Sequence, residues 1–452
     1  MPGSTNRSLS HPLFSEPTFN EETKSIDPAG FLIPHPGDKE LYNEVSDLLG
    51  TQVTSFDKSR IPDNEFMSLE KVYGEHGTAV IGQINNAGKI IFHVLGDSGA
   101  SVDGKKYQHE LSVADQVTLD CATSNQGNHP SFAYHLGDVV YDFGEKQYYY
   151  DQFYDPFRNY PLPIFAIPGN HDSFITPGTP IADEPLKTFA RNFCSETLVI
   201  TPEARSLHRT AMQQPGVYFT LDAPFVRIIG LFSNALEDPG VISSQAGEKK
   251  KWPGVPDFQL PYLEAQLKTV KNSNYKGAVI LAVHHPPFSY APPKDQAGKG
   301  GNHGSSPDML REIDNICKKV GIYPHAILCA HSHNYQRYTR EMKFEGKDYD
   351  VPILVTGDSG HNVNPLVRGS KGHLAVEPHP GISVKYLEKN PAVEVKDLIL
   401  EKYEDHNYGY LRVTVDDKLL RMGFHQVGVN SLAQSRFDFV TVDLDSHQMV
   451  AN

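Results

Sequence analysis

The chain is poor in cysteine and tryptophan, with four and one among 452 residues. Cys121, Cys194, Cys317 and Cys329 show no C-x-x-C spacing, so a thiolate metal site or dithiol redox centre is not expected. Cys317 falls on an expected buried helix face and Cys329 in an expected core strand. The cysteines read as reduced small hydrophobes, with a Cys121–Cys194 disulfide as the alternative. No apolar run is long enough to span a bilayer. Met1 to Phe14 is polar and broken by Pro2 and Pro12, unlike a signal peptide, which makes the cytoplasm the expected compartment. Cationic charge is also short, with 41 Lys and Arg against 55 Asp and Glu and a formal charge of −14. That balance argues against nonspecific nucleic-acid binding, which rests on phosphate neutralisation by Lys and Arg. Internal repeats and low-complexity tracts are absent. At 39% hydrophobic and 21% charged residues, the composition is that of an ordinary globular protein of one to three domains.

What the chain does have is five polar clusters, each closing a short apolar run. They are Gly96-Asp97-Ser98-Gly99, Gly137-Asp138-Val139-Val140-Tyr141, Gly169-Asn170-His171-Asp172, Val283-His284-His285 and Ala330-His331-Ser332-His333. The runs before them (Ile90 to Leu95, Phe132 to Leu136, Ile164 to Ile167, Val279 to Val283, Ala326 to Ala330) are mostly β-branched or aromatic and read as buried strands. In α/β folds, ligands collect beyond the carboxyl ends of strands, so clusters far apart in sequence can converge. Their residue types supply oxygen and nitrogen ligands for two cations about 3.5–4 Å apart, with Asp138 as the candidate bridging carboxylate. A mixed O/N set without thiolate suits Fe, Mn or Zn better than Ca.

The series G-D-x-G, G-D-x-x-Y, G-N-H-D, V-x-x-H and x-H-x-H resembles the calcineurin-like metallophosphoesterases, and within them the purple acid phosphatases. Two positions carry the narrower resemblance: Asp97-Ser98-Gly99 stands where most relatives have D-x-H, so that the histidine is missing, and Tyr141 follows Asp138 by three residues, where that branch has an Fe(III) phenolate. The resemblance implies one metal held by Asp97, Asp138, Tyr141 and His333, and a second held by Asp138, Asn170, His284 and His331. Fe(III) is expected on the tyrosine side, with Fe, Zn or Mn beside it. His171 resembles the family's non-ligand histidine that contacts the phosphate and protonates the leaving oxygen. His303, within Gly301-Asn302-His303-Gly304, resembles its substrate-facing histidine. His284-His285-Pro286-Pro287-Phe288-Ser289 matches an H-x-P-x-aromatic-Ser turn, which makes His285 a neighbour of the ligand. The implied reaction is hydrolysis of phosphomonoesters by a metal-bound hydroxide, acting on a small phosphorylated substrate. A phosphodiesterase or nucleotide hydrolase with the same metals is the nearest alternative. A metal-stabilised binding protein without turnover is a rival of another class, and the pair His171 and His303 argues against it. Because most purple acid phosphatases are exported, export is the alternative to the cytoplasm. Oligomeric state is not legible.

The implied fold is α/β (α+β), a four-layer sandwich of two face-to-face mixed β-sheets flanked by helices. Residues 1–87 read as an N-terminal extension packed on the catalytic domain, with a helix over Lys39 to Leu49. Residues 88–365 read as the catalytic domain, and 366–452 as a β-rich segment completing the sheets. Leu260, Leu263, Leu267 and Val270 form one helical stripe. A second helix is expected from an N-cap at Ser306 to a stop near Gly321, and a third region is helical from Glu145 to Tyr160. Tyr410 to Val415 and Leu419 to Phe424 read as a hairpin, with one more strand over Phe437 to Leu444. Gly357-Asp358-Ser359-Gly360 reads as a strand-end turn lining the site, with His361 as a neighbour of the ligands. His93 and His135 read as packed histidines, and His325 as a surface or satisfied core residue rather than a ligand. Trp252 reads as part of an exposed loop, with a substrate-facing lid as the alternative.

Overall fold

The computed structural model describes residues 39–49, 54–100, 106–125, 127–177, 184–205, 207, 209–246, 252, 254–290, 303–366, 378–386, 393–428 and 431–450. The expectations for residues 1–14, for Gly301 and Asn302 before His303, and for the immediate neighbours of Trp252 lie outside them.

Among the described residues, the larger of two mixed sheets has nine strands in the order β1 (Met67–Ser68), β5 (Phe219–Ala223), β6 (Val226–Leu231), β7 (Ala278–Val283), β8 (Ala326–Cys329), β10 (Lys347–Thr356), β9 (Tyr335–Phe344), β12 (Val393–Glu404) and β11 (Ile382–Tyr386). The smaller has seven: β16 (Gln448–Met449), β15 (Ser431–Asp443), β14 (Leu419–Gly428), β13 (Tyr408–Asp416), β2 (Lys89–Leu95), β3 (Ala133–His135) and β4 (Ile164–Ala166). β2, β3 and β4 run parallel, as do β6, β7 and β8. β7, sequence AVILAV, is buried along its whole length, as a parallel strand covered on both faces must be.

The sheets pack face to face. Tyr134 of β3 and Phe165 of β4 lie against Phe219 of β5 with ring centroids 6.0 and 6.4 Å away, and Tyr335 of β9 stacks on Phe424 of β14 at 4.1 Å. A salt bridge crosses the same seam, where Arg337 Nε donates to Asp438 Oδ2 at 2.6 Å. The helices are α1 (Lys39–Leu49), α2 (Leu69–Val72), α3 (Gly77–Ala87), α4 (Lys106–Thr123), α5 (Lys146–Tyr149), α6 (Lys187–Phe193), α7 (Gln259–Asn272) and α8 (Pro307–Val320). α4 lies on β13, β14 and β15, whereas α7 and α8 pack together on the larger sheet. The stripe on α7 buries Leu263, Leu267 and Val270 and half-buries Leu260. α8 buries Met309, Ile313 and Cys317 and ends at Gly321, whose φ of +77° suits a left-handed cap.

Three local expectations are corrected. Ser306 precedes α8, but its hydroxyl does not cap that helix and instead accepts the Gly240 N–H at 2.7 Å. The helical region expected from Glu145 to Tyr160 is present but shorter, with α5 running directly into a wider π-helical segment over Tyr150–Tyr154; Tyr148, Tyr149, Tyr154 and Tyr160 are all buried, so core filling explains the crowding of tyrosines. Trp252 is half-buried against Leu236, Val241, Ala246 and Val255 rather than exposed. All four cysteines are unpaired, with Cys121 buried on α4 and Cys194 closing α6.

Candidate metal centre

The carboxyl ends of β2, β3 and β4 in one sheet and of β7 and β8 in the other face a common crevice. The five polar clusters begin there, so each enters it at the point where its strand stops. Asp97, Asp138 and His331 turn the chain at φ of +53°, +55° and +66°, a left-handed conformation that costs a non-glycine residue roughly 1–3 kcal/mol. Hydrogen bonds within the cluster hold these turns. Asp97 N–H donates to Gly137 O at 3.0 Å, His331 N–H to Asp97 Oδ2 at 2.7 Å, and His171 N–H to Asp138 Oδ1 at 2.9 Å. Gly169 is required by close approach, since a Cβ there would lie 2.1 Å from Asp138 Oδ1.

These bonds occupy one oxygen of each carboxylate and aim the other inward. The Tyr141 hydroxyl lies 2.8 Å from Asp97 Oδ1, 2.8 Å from Asp138 Oδ2 and 3.2 Å from His333 Nε2. On the far side of Asp138, His284 Nε2 is 3.4 Å from Asp138 Oδ2 and 3.2 Å from Asn170 Oδ1, and His331 joins Asp138 and His284 in one cluster of ligand atoms. The His171 ring packs against that of Tyr141 at a tilt of 41° with centroids 4.2 Å apart, and its Nδ1 donates to Asp142 O at 2.8 Å. The His303 ring lies 4.7 Å from that of His331 and 4.6 Å from that of His333. All nine residues singled out in the sequence therefore meet in one place.

The arrangement calls for positive charge. One phenolic hydrogen cannot serve two carboxylate oxygens and an imidazole nitrogen. His284 Nδ1 donates to Leu136 O at 2.8 Å, which leaves the Nε2 lone pair of the neutral ring aimed at two oxygen acceptors. Among the described residues, buried His331 has no hydrogen bond to either ring nitrogen, and Asp238 Oδ1 lies 3.5 Å from its Nε2. Burial and the charge of Asp138 push Asp97 up to about 8 against the opposing charge of His284. Asp138 goes the other way: burial would raise it, but the charges of His284 and His171 hold it well below the usual carboxylate range. Burial alone would lower His284, yet Asp138 drives it up to about 9. Cations seated among these atoms would remove each conflict, so the donor set fits a metal centre.

Several residues that organise the crevice were not singled out in the sequence. Asp172 accepts the N–H groups of Val139, Val140 and Gly169 at 3.0, 3.2 and 2.9 Å, tying the second cluster to the third. His135, read as a packing residue, ties Ser98 Oγ at 2.9 Å to the Gly137 N–H at 3.2 Å. Glu237 Oε2 accepts Asn170 Nδ2 at 3.1 Å and the hydroxyl of Tyr42, from α1, at 2.9 Å. The terminal Asp of G-N-H-D was the one signal available; the other contacts join segments far apart in sequence. His361 stacks on Tyr141 at 3.5 Å, and the turn before it packs on the first cluster through Ser359 N–H to Gly96 O at 3.1 Å. His285 bonds Ser233 Oγ and Leu236 O, each at 2.7 Å, so it is a neighbour as expected.

The family model described as calcineurin-like phosphoesterase matches residues 92–335, more than half of the chain. Three solved structures are similar. A purple acid phosphatase from yellow lupin (Lupinus luteus) seeds is 15% identical over 78% of this chain and 54% of that one, with a TM-score of 0.47. PhoD is 12% identical over 80% and 72%, with a TM-score of 0.47. GAP50, the anchor in the inner membrane complex of Plasmodium, is 8% identical over 78% and 87%, with a TM-score of 0.44. The chain spans about half the length of the lupin protein. No curated protein matches the sequence.

Proposed function

Because the chain belongs to the calcineurin-like phosphoesterase family, whose members are metal-dependent phosphoester hydrolases, we propose that it is a binuclear phosphatase of the purple acid phosphatase type acting on phosphomonoesters. The observation that carries this reading is the Tyr141 hydroxyl set between Asp97, Asp138 and His333. A phenolate there suits a hard trivalent ion, so Asp97, Asp138, Tyr141 and His333 would hold Fe(III). Asp138, Asn170, His284 and His331 would hold Fe, Zn or Mn. When bound, the two ions would activate water and neutralise charge on the phosphoryl group. Asn170 is a neutral ligand, which makes the second ion the more weakly held.

His171 and His303 serve the substrate rather than the metals. With Nδ1–H committed to Asp142 O, the protonated His171 ring has Nε2–H free to give to a leaving oxygen. General-acid help of this kind is worth about 10²–10⁴-fold. His303 Nδ1 is buried beside His331 and His333 with no hydrogen-bond partner among the described residues, which supports a role in donating to a phosphoryl oxygen. Asp138→Ala and Asn170→Ala should abolish hydrolysis of p-nitrophenyl phosphate and lower bound metal, whereas His171→Ala should keep its metals and slow turnover by about 10²–10⁴-fold. Full activity in Asp138→Ala would overturn the assignment.

A further inference from the structure

The surroundings of the centre are polarised. Beside Asn170 and His331 stand two carboxylates, Glu237, bonded to Asn170 Nδ2 at 3.1 Å, and Asp238, 3.5 Å from His331 Nε2. Around His171 and Tyr141 stand two ammonium groups from separate elements. Lys39 opens α1 and holds Nζ 5.0 Å from the centroid of the Tyr42 ring, which lies 4.9 Å from the His171 ring. Lys106 opens α4 and holds Nζ 3.5 Å from His361 Nε2, and the His361 ring stacks on Tyr141, itself 4.2 Å from His171. Neither lysine is ion-paired with a carboxylate among the described residues. Burial and then the charge of Lys39 lower Lys106, against the raising charge of Asp142, so the two cations are near enough to feel each other.

In a chain of net charge −14, a polyanion is repelled by the global field and needs local cations to dock. Lys39 connects to His171 through the Tyr42 ring and Lys106 through His361 and Tyr141, so the two ammonium groups border the residue that would protonate a leaving oxygen. We propose that Lys39 and Lys106 form a second anion subsite for the leaving group, so that the preferred substrates are phosphoanhydrides, such as a diphosphate or nucleoside diphosphate, whose leaving group is itself a phosphate. The proposal rests on the phosphatase reading above. In the reaction, water adds its oxygen to the terminal phosphorus and the bridging P–O bond breaks, its electron pair going to the leaving phosphate. That oxygen takes the His171 proton, and the proton released by water restores His171 through solvent.

The test compares kcat/KM for pyrophosphate and p-nitrophenyl phosphate in the metal-loaded wild type and in Lys39→Gln/Lys106→Gln, with metal content recorded for both. Calorimetric binding of pyrophosphate and of inorganic phosphate is measured alongside. Two charge-assisted contacts predict that the pyrophosphate preference falls by at least about 30-fold, mainly through KM, and that the affinity difference between the two anions collapses. Lys39→Arg/Lys106→Arg should retain most of both. An unchanged preference, or an equal fall on both substrates, would overturn the subsite. A loaded wild type that turns over no phosphate ester would overturn the phosphatase reading instead, and the binding contrast would still decide the subsite.

Discussion

The iron assignment proposed above rests on Tyr141, whose hydroxyl lies 2.8 Å from an oxygen of Asp97 and 2.8 Å from one of Asp138. With Fe(III) bound, the protein should show a broad visible phenolate band that disappears in Tyr141→Phe. A colourless protein containing two Mn or Zn ions would contradict the iron assignment. Gly169→Ala tests the shape of the site, since the added methyl would meet Asp138 Oδ1 at 2.1 Å. Displacing the bridge by about 1 Å should cost on the order of 10²-fold in kcat and lower bound metal. Unaltered kinetics would show that Asp138 does not bridge. At this scale the nine candidate residues were legible because their types and spacings are local. Glu237, Tyr42 and His135 were not, because each gains its role from a partner that only folding brings near.

Strands were legible wherever an apolar run ended at a polar cluster, and all five such runs form β2, β3, β4, β7 and β8. Helix detail was less so. Ser306 has an N-cap residue type and position, but tertiary contact with Gly240 claims its hydroxyl, and the helical segment after Glu145 widens at Tyr150 and stops short of Tyr160 while its tyrosines fill the core. Buried histidines on these elements predict a pH dependence. His325 accepts the Val279 N–H through Nδ1 at 3.0 Å and bonds Leu444 O through Nε2 at 3.1 Å, which fixes a neutral tautomer. Burial holds it down to about 4, against the raising influence of the Leu444 carbonyl. The unfolded chain, with an ordinary histidine near 6.5, binds the proton first. The stabilisation is therefore complete above about pH 6.5 and is lost as pH falls toward 4, a contribution on the order of 3 kcal/mol at most. Thermal midpoints should fall through that window more steeply in the wild type than in His325→Gln; parallel slopes would contradict the prediction.

Across the whole molecule, the region matched by the family model stops at residue 335, yet both sheets continue beyond it. β13 pairs directly with β2, the strand that delivers Asp97, and Tyr335 and Arg337 engage β14 and β15 across the sheet interface. Removing residues 366–452 would expose that edge and open the core, so the truncated chain should be insoluble or unfolded by circular dichroism. A folded, active truncation would show that these strands are dispensable. The two-sheet architecture was legible through the resemblance and the strand runs; the order of strands within each sheet was not, because pairings such as β13 with β2 join residues hundreds apart. The most direct test of the two-metal phosphatase is turnover of p-nitrophenyl phosphate by chelator-stripped protein as metal is titrated back. Activity should be absent at the start and reach a plateau near two equivalents per chain. Stripped protein that turns over as fast as the loaded form would contradict it.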